Sequence, residues 1–102
     1  MANLEKEKEV NIQRVNICIK TIDELKNFVS LTSKLKSNTE AVSGPFVVDA
    51  KSIMGMLSLN LSHPVSLTIY SVDDEETENF LDDIKHLIVE PTKEPENNTT
   101  VS

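Results

Sequence analysis

The sequence predicts an α+β fold, an open-faced two-layer sandwich in which one antiparallel sheet is covered on one side by three helices. Three observations predict it. Val15–Ile19 and Val65–Ile69 alternate apolar and polar residues with the period of half-buried strands. The stretches from Ile22 and from Thr77 carry apolar residues at helical spacing along one face only. The elements follow one another as β-α-β-β-α-β-α, and strands with one apolar face need helices on that face alone.

The elements follow in chain order. Val15, Ile17 and Ile19 alternate with Asn16, Cys18 and Lys20 in the first strand. Thr21-Ile22-Asp23-Glu24 is then a capping box, in which the Thr21 hydroxyl accepts from a first-turn N–H and Glu24 reaches back to the N–H of Thr21. Ile22, Leu25, Phe28, Val29 and Thr32 form the apolar face of a helix running to about Leu35. Residues 39–43 and 46–50 form two short strands around Gly44-Pro45, where glycine suits the turn and proline opens the second strand without removing an interior ladder bond. Ser52 to about Asn60 is a short helix with serine at its N-cap position. Within it Met56 and Leu59 face the core, Ile53 and Leu57 lie on another face near Met54, and Gly55 lets the helix pack closely. Val65, Leu67 and Ile69 mark the next strand. Asp73 to Glu76 place negative charge at a helix N-terminus, and Thr77, Phe80, Leu81, Ile84, Leu87 and Ile88 make that helix's buried stripe.

Composition bounds the function. The 102 residues suffice for one domain with a modest core. The expected division is a flexible charged leader over 1–9, a domain over 10–89, and a disordered polar tail over 90–102 that carries Pro91 and Pro95. The net charge of -7 argues against nucleic acid or an anionic membrane as partner. A single cysteine, no membrane-length apolar run and no secretory leader point to the cytoplasm. No nucleophile–base pair or cofactor loop is present, so neither an enzyme nor a cofactor is expected. His63, His86 and Cys18 fall in separate elements, which argues against a zinc site and leaves both histidines as surface residues.

From about Ile22 to Ile88 the chain resembles the HPr family, the small phosphocarriers of the bacterial sugar phosphotransferase system. The resemblance is carried chiefly by Lys51-Ser52-Ile53-Met54-Gly55, similar to that family's regulatory-serine segment, within Val48 to Leu59. Phe28 to Lys34, Leu67-Thr68-Ile69 and the acidic stretch before Phe80 support it more weakly. The resemblance implies that Ser52 is a regulatory phosphorylation site for an ATP-using kinase. It also implies that Ile53, Met54 and Leu57, with Lys51 beside them, form an exposed surface for protein partners. Those partners would be an HPr kinase-like enzyme, a transcription regulator or a metabolic enzyme, met by a monomeric protein.

One departure from the family pattern changes the expected function. The family carries its phosphoryl group on a histidine in a Gly-Ile-His-Ala-Arg-Pro pattern at the entry to the first helix. Here that stretch reads Ile19-Lys20-Thr21-Ile22-Asp23-Glu24-Leu25, without histidine, arginine or proline. A phosphate ester on Thr21 is too stable to be passed on, and Asp23 and Glu24 repel a phosphoryl donor where the family places a cation. The sequence is therefore similar to the catabolite-repression HPr homologues that keep the serine and lack the histidine. The alternatives are a phosphocarrier as the family implies, or a binding module on this scaffold that uses no phosphate.

Overall fold

A computed structural model describes residues 10–89. The elements are β1 (Asn11–Ile17), α1 (Ile22–Ser33), β2 (Asn38–Ser43), β3 (Phe46–Val48), α2 (Ile53–Leu57), β4 (Val65–Ser71), α3 (Asp74–Asp83), a 3-10 turn (Lys85–Leu87) and β5 (Ile88–Val89). The leader over 1–9 and the tail over 90–102 lie outside the described residues.

The five strands form one sheet in the order β3-β2-β4-β1-β5, and every pairing is antiparallel. Register settles which side chains share a face. Val15 stands opposite Leu67 and Ile17 opposite Val65, while Thr39 faces Ile69 and Ala41 faces both Leu67 and Val48. These residues line the helix-covered face, where Ile17, Ala41, Val65, Leu67 and Ile69 are buried. The intervening residues, Arg14, Thr68, Glu40 and Tyr70 among them, belong to the other face. The helices supply the second layer through Leu25 and Phe28 of α1, Met56 of α2 and Phe80 of α3, with Leu59, Ile84 and Leu87 from the following turns. The Phe28 and Phe80 rings meet tilted at 52°, with centroids 6.3 Å apart, a favourable geometry for two aromatic quadrupoles.

Local chemistry sets the element ends. Gly44 has φ 59 and opens the two-residue turn between Ser43 and Phe46, a left-handed conformation at the first turn position that glycine adopts without a Cβ clash. Asp73 caps α3 by accepting from the N–H groups of Glu75 and Glu76. The Ser71 and Thr77 hydroxyls, 2.6 Å apart and buried, then hold the first turn of α3 to the end of β4.

Several boundaries differ from the sequence expectation. β1 ends at Ile17, although Ile19 stays buried and the Cys18 N–H donates to the Leu87 carbonyl at 2.8 Å in register with the Ile17–Ile88 pair. α1 ends at Ser33 and β3 at Val48, and only Ile53–Leu57 is helical in the short helix. The last helix stops at Asp83, since Ile84 leaves helical geometry at φ -108. Leu87 still reaches the core through the 3-10 turn, whereas Ile88 belongs to a strand, pairing with Ile17 as Val89 pairs with Asn16. Ile22, expected on the buried face of α1, is 56% exposed. It sits in the first turn of α1, directly after the Thr21 cap.

Candidate functional site

The region around Ser52 is built by a turn leading off β3. The Ser52 N–H donates to the Asp49 carbonyl at 3.0 Å, and the Lys51 N–H donates to Asp49 Oδ1 at 2.9 Å. Ser52 is then extended, φ -103 and ψ 117, and its Oγ accepts from the Gly55 N–H at 3.0 Å. That is the N-cap bond expected of serine. Gly55 is needed for close approach here. A Cβ on it would stand 3.2 Å from Val48 Cβ and 3.3 Å from Ser52 Oγ. Among the described residues no side-chain base is hydrogen-bonded to Ser52 Oγ, so the hydroxyl has no built-in activation as a nucleophile.

α2 turns Met56 wholly inward, keeps Gly55 against Val48 and shows Ile53, Met54 and Leu57 to solvent. Ile53 is 36%, Met54 73% and Leu57 48% exposed, an apolar trio directly after Ser52. Lys51 is not a free cation beside them. Its Nζ donates to the Leu35 carbonyl at 2.8 Å, past the end of α1.

The other candidate residues lie at the opposite end of α1. Thr21 is its N-cap and accepts from the Glu24 N–H at 3.0 Å. Glu24 closes the capping box, but on the N–H of Lys20 at 2.7 Å instead of that of Thr21. Asp23 is exposed in the same turn. Thr21 and Ile22 also line a shallow depression of about 520 Å³ with Cys18, Leu25, Leu61 and Ser62. Ser52 and Thr21 therefore mark the two ends of a helix roughly 18 Å long at 1.5 Å per residue. α2 and its following turn run back from one end toward the other. That Ile22, Leu61 and Cys18 share this depression is not legible in the sequence, because it depends on which turns the fold brings together.

His63 lies in the turn before β4 and His86 in the 3-10 turn, both exposed. Among the described residues no helix is long and apolar enough to cross a membrane, and no group of three or more His, Cys, Asp or Glu is placed to hold a metal ion.

Comparison with known proteins accords with this architecture. The family model for the PTS HPr component phosphorylation site matches residues 25–90, and the chain belongs to the HPr family. It is thus a phosphocarrier-like protein of a family that works with protein partners in the phosphotransferase system. The match includes Ser52 and the apolar trio and begins after Thr21, Asp23 and Glu24. Among solved structures, HPr-C-His from Thermoanaerobacter tengcongensis superposes with a TM-score of 0.60 at 28% identity, over 74% of this chain and 91% of that one. The phosphocarrier protein HPr from Bacillus anthracis str. Ames shares the fold, with a TM-score of 0.56 at 21% identity over 76% of this chain and 99% of its own. No curated protein matches the chain.

Proposed function

We propose that this chain is a regulatory interaction protein of the phosphotransferase system and carbon-catabolite control, switched by phosphorylation of Ser52 and carrying no phosphoryl group on histidine. The observation that supports it best is the exposed trio Ile53, Met54 and Leu57 beginning at the residue after Ser52. A phosphate on Ser52 adds nearly two negative charges and three acceptor oxygens at the border of that apolar surface. Unmodified and modified forms then favour different protein partners, a transcription regulator or a metabolic enzyme among them. Methionine suits such a surface because its unbranched side chain repacks easily. The protein acts as a cytoplasmic monomer, without enzymatic activity of its own, and binds neither nucleic acid nor membrane. Thr21 with Asp23 and Glu24 serves as a helix cap where phosphocarriers of the family hold their histidine.

Intact mass after incubation with ATP and a bacterial HPr kinase tests this reading, with Ser52→Ala as control. One phosphate gained by the wild type and absent from the control is the expected result. No gain removes the serine switch and leaves the bare apolar surface as the functional element. Family membership itself favours a second reading, a phosphocarrier. Incubation with phosphoenolpyruvate and the first enzyme of the phosphotransferase system tests it, and acid-labile phosphate appearing on His63 or His86 would establish it in place of the first.

A further inference from the structure

The last turn of α1 contains no basic residue, yet a helix C-terminus presents unpaired carbonyls and the negative end of the dipole. Lys34 is the C-cap residue itself and Lys36 follows it, and a third cation meets this end from far along the chain. Lys51 Nζ donates to the Leu35 carbonyl at 2.8 Å in a part-buried setting, across a separation of 16 residues. The backbone on both sides of Lys51 is fixed as well. Its N–H is held by Asp49 Oδ1 at 2.9 Å, and its carbonyl accepts from Ser33 Oγ at 3.5 Å. Ser52 follows directly, its Oγ engaged with the Gly55 N–H. The ammonium adjacent in sequence to the serine is thus already committed to the end of a different helix.

We infer that Lys51 is a positioning residue that couples the charge state of Ser52 to the C-terminal end of α1. The inference rests on the reading of Ser52 as a phosphorylated residue and adds what the phosphate does inside the molecule. Lysine is a flexible point charge with three donors. A phosphoserine beside it is a charged acceptor and outcompetes a neutral carbonyl for that ammonium. Once drawn away, the ammonium leaves the Leu35 carbonyl without its partner. The turn that carries this carbonyl is otherwise held by Lys34 N–H to the Leu31 carbonyl at 3.2 Å, by Leu35 N–H to that of Thr32 at 3.0 Å, and by the Lys36 N–H of the same peptide group to Glu76 Oε2 at 3.1 Å. Phosphorylation therefore acts in two places. It recharges the border of the apolar trio on α2, and it loosens the end of α1.

Amide hydrogen exchange at Lys34 and Leu35, followed by NMR, tests the coupling. Four full-length proteins are compared: serine or phosphoserine at position 52, each with Lys51 or with Lys51→Met, which keeps the apolar stem and removes the charge. Phosphoserine is installed during synthesis, so the result does not depend on whether any kinase recognises the site. With Lys51 present, phosphoserine speeds exchange at these amides roughly tenfold, the scale of a lost hydrogen bond to a charged group. Lys51→Met alone speeds it comparably, and phosphoserine adds nothing further. A merely structural lysine would give two independent effects that add. Equal responses to phosphoserine in both backgrounds, or none with Lys51 present, overturn the coupling. If Lys51→Met does not fold, the Lys51 ammonium nitrogen resonance decides instead. A shift on phosphorylation supports the coupling and an unchanged resonance refutes it. A kinase that ignores the protein would remove the regulatory reading without touching this result.

Discussion

At the scale of single residues, the open face of the sheet carries a polar contact between β4 and β2. The Tyr70 phenol donates to Glu40 Oε1 at 2.9 Å. This hydrogen bond, with some burial and the negative charge of Glu40, raises the phenol above its ordinary value of 10.0, and Arg14 partly opposes the shift. A group whose folded value is raised adds stability below its unfolded value and loses that contribution as pH climbs through the folded one. The contact therefore helps at neutral pH and fails only in strong alkali. The chain has one tyrosine and no tryptophan, so ultraviolet absorbance of the tyrosinate reports this group alone. Glu40→Gln should move the titration down toward the ordinary value, and an unchanged midpoint would show that the carboxylate is not the cause. At the other face, Thr21→Ala should cost about 1 kcal/mol in urea unfolding through the lost cap. The caps at Thr21 and Ser52 were legible in the sequence because capping is local chemistry, confined to residues three apart. The contact from Lys51 to Leu35 was not legible, because no local pattern signals a bond across that sequence separation.

At the scale of elements, α2 divides its residues sharply between core and solvent, and substitutions should follow that division. Ile53→Asp or Met54→Asp should change unfolding free energy by only about 0.5 kcal/mol, as surface changes do. Met56→Ala should cost about 2–5 kcal/mol through lost contacts and the cavity left behind. A large loss from Met54→Asp, measured by denaturant titration, would mean that the trio supports the fold and is not a surface for partners. The division of this helix was readable beforehand because Met56 and Leu59 share one face and Ile53 and Leu57 another. The end of the chain was harder. Ile84, Leu87 and Ile88 fit a helical stripe by spacing, and a strand of two residues has no alternation to display. Only the pairing of Ile88 with Ile17 identifies it. Ile22 misled for a related reason. Its spacing to Leu25 and Val29 is that of a buried face, but periodicity gives a residue's face and not its exposure at a helix end.

At the scale of the whole molecule, the alternating strands and one-sided helices made the sandwich legible, and the sheet order came from pairing. Charge is distributed unevenly over it. α3 and its cap carry Asp73, Asp74, Glu75, Glu76, Glu78, Asp82 and Asp83. Near them Lys85 makes only an exposed contact of 3.5 Å with Asp82, too solvated to offset much repulsion. The first acidic residues favour the helix N-terminus, but the last ones oppose the dipole. With a net charge of -7, melting temperature should rise by a few degrees as salt increases from about 10 mM to about 150 mM, which shortens the screening length from roughly 30 Å to roughly 8 Å. A fall would mean that attractive ion pairs dominate the surface. The depression at the start of α1 has a practical consequence of a different kind. Cys18 lines it and is the chain's one cysteine, so the molecule contains its own probe of that surface. The rate at which an alkylating reagent consumes that thiol measures how accessible the depression is. Any partner seated there slows the reaction, in a chain that needs no engineered label.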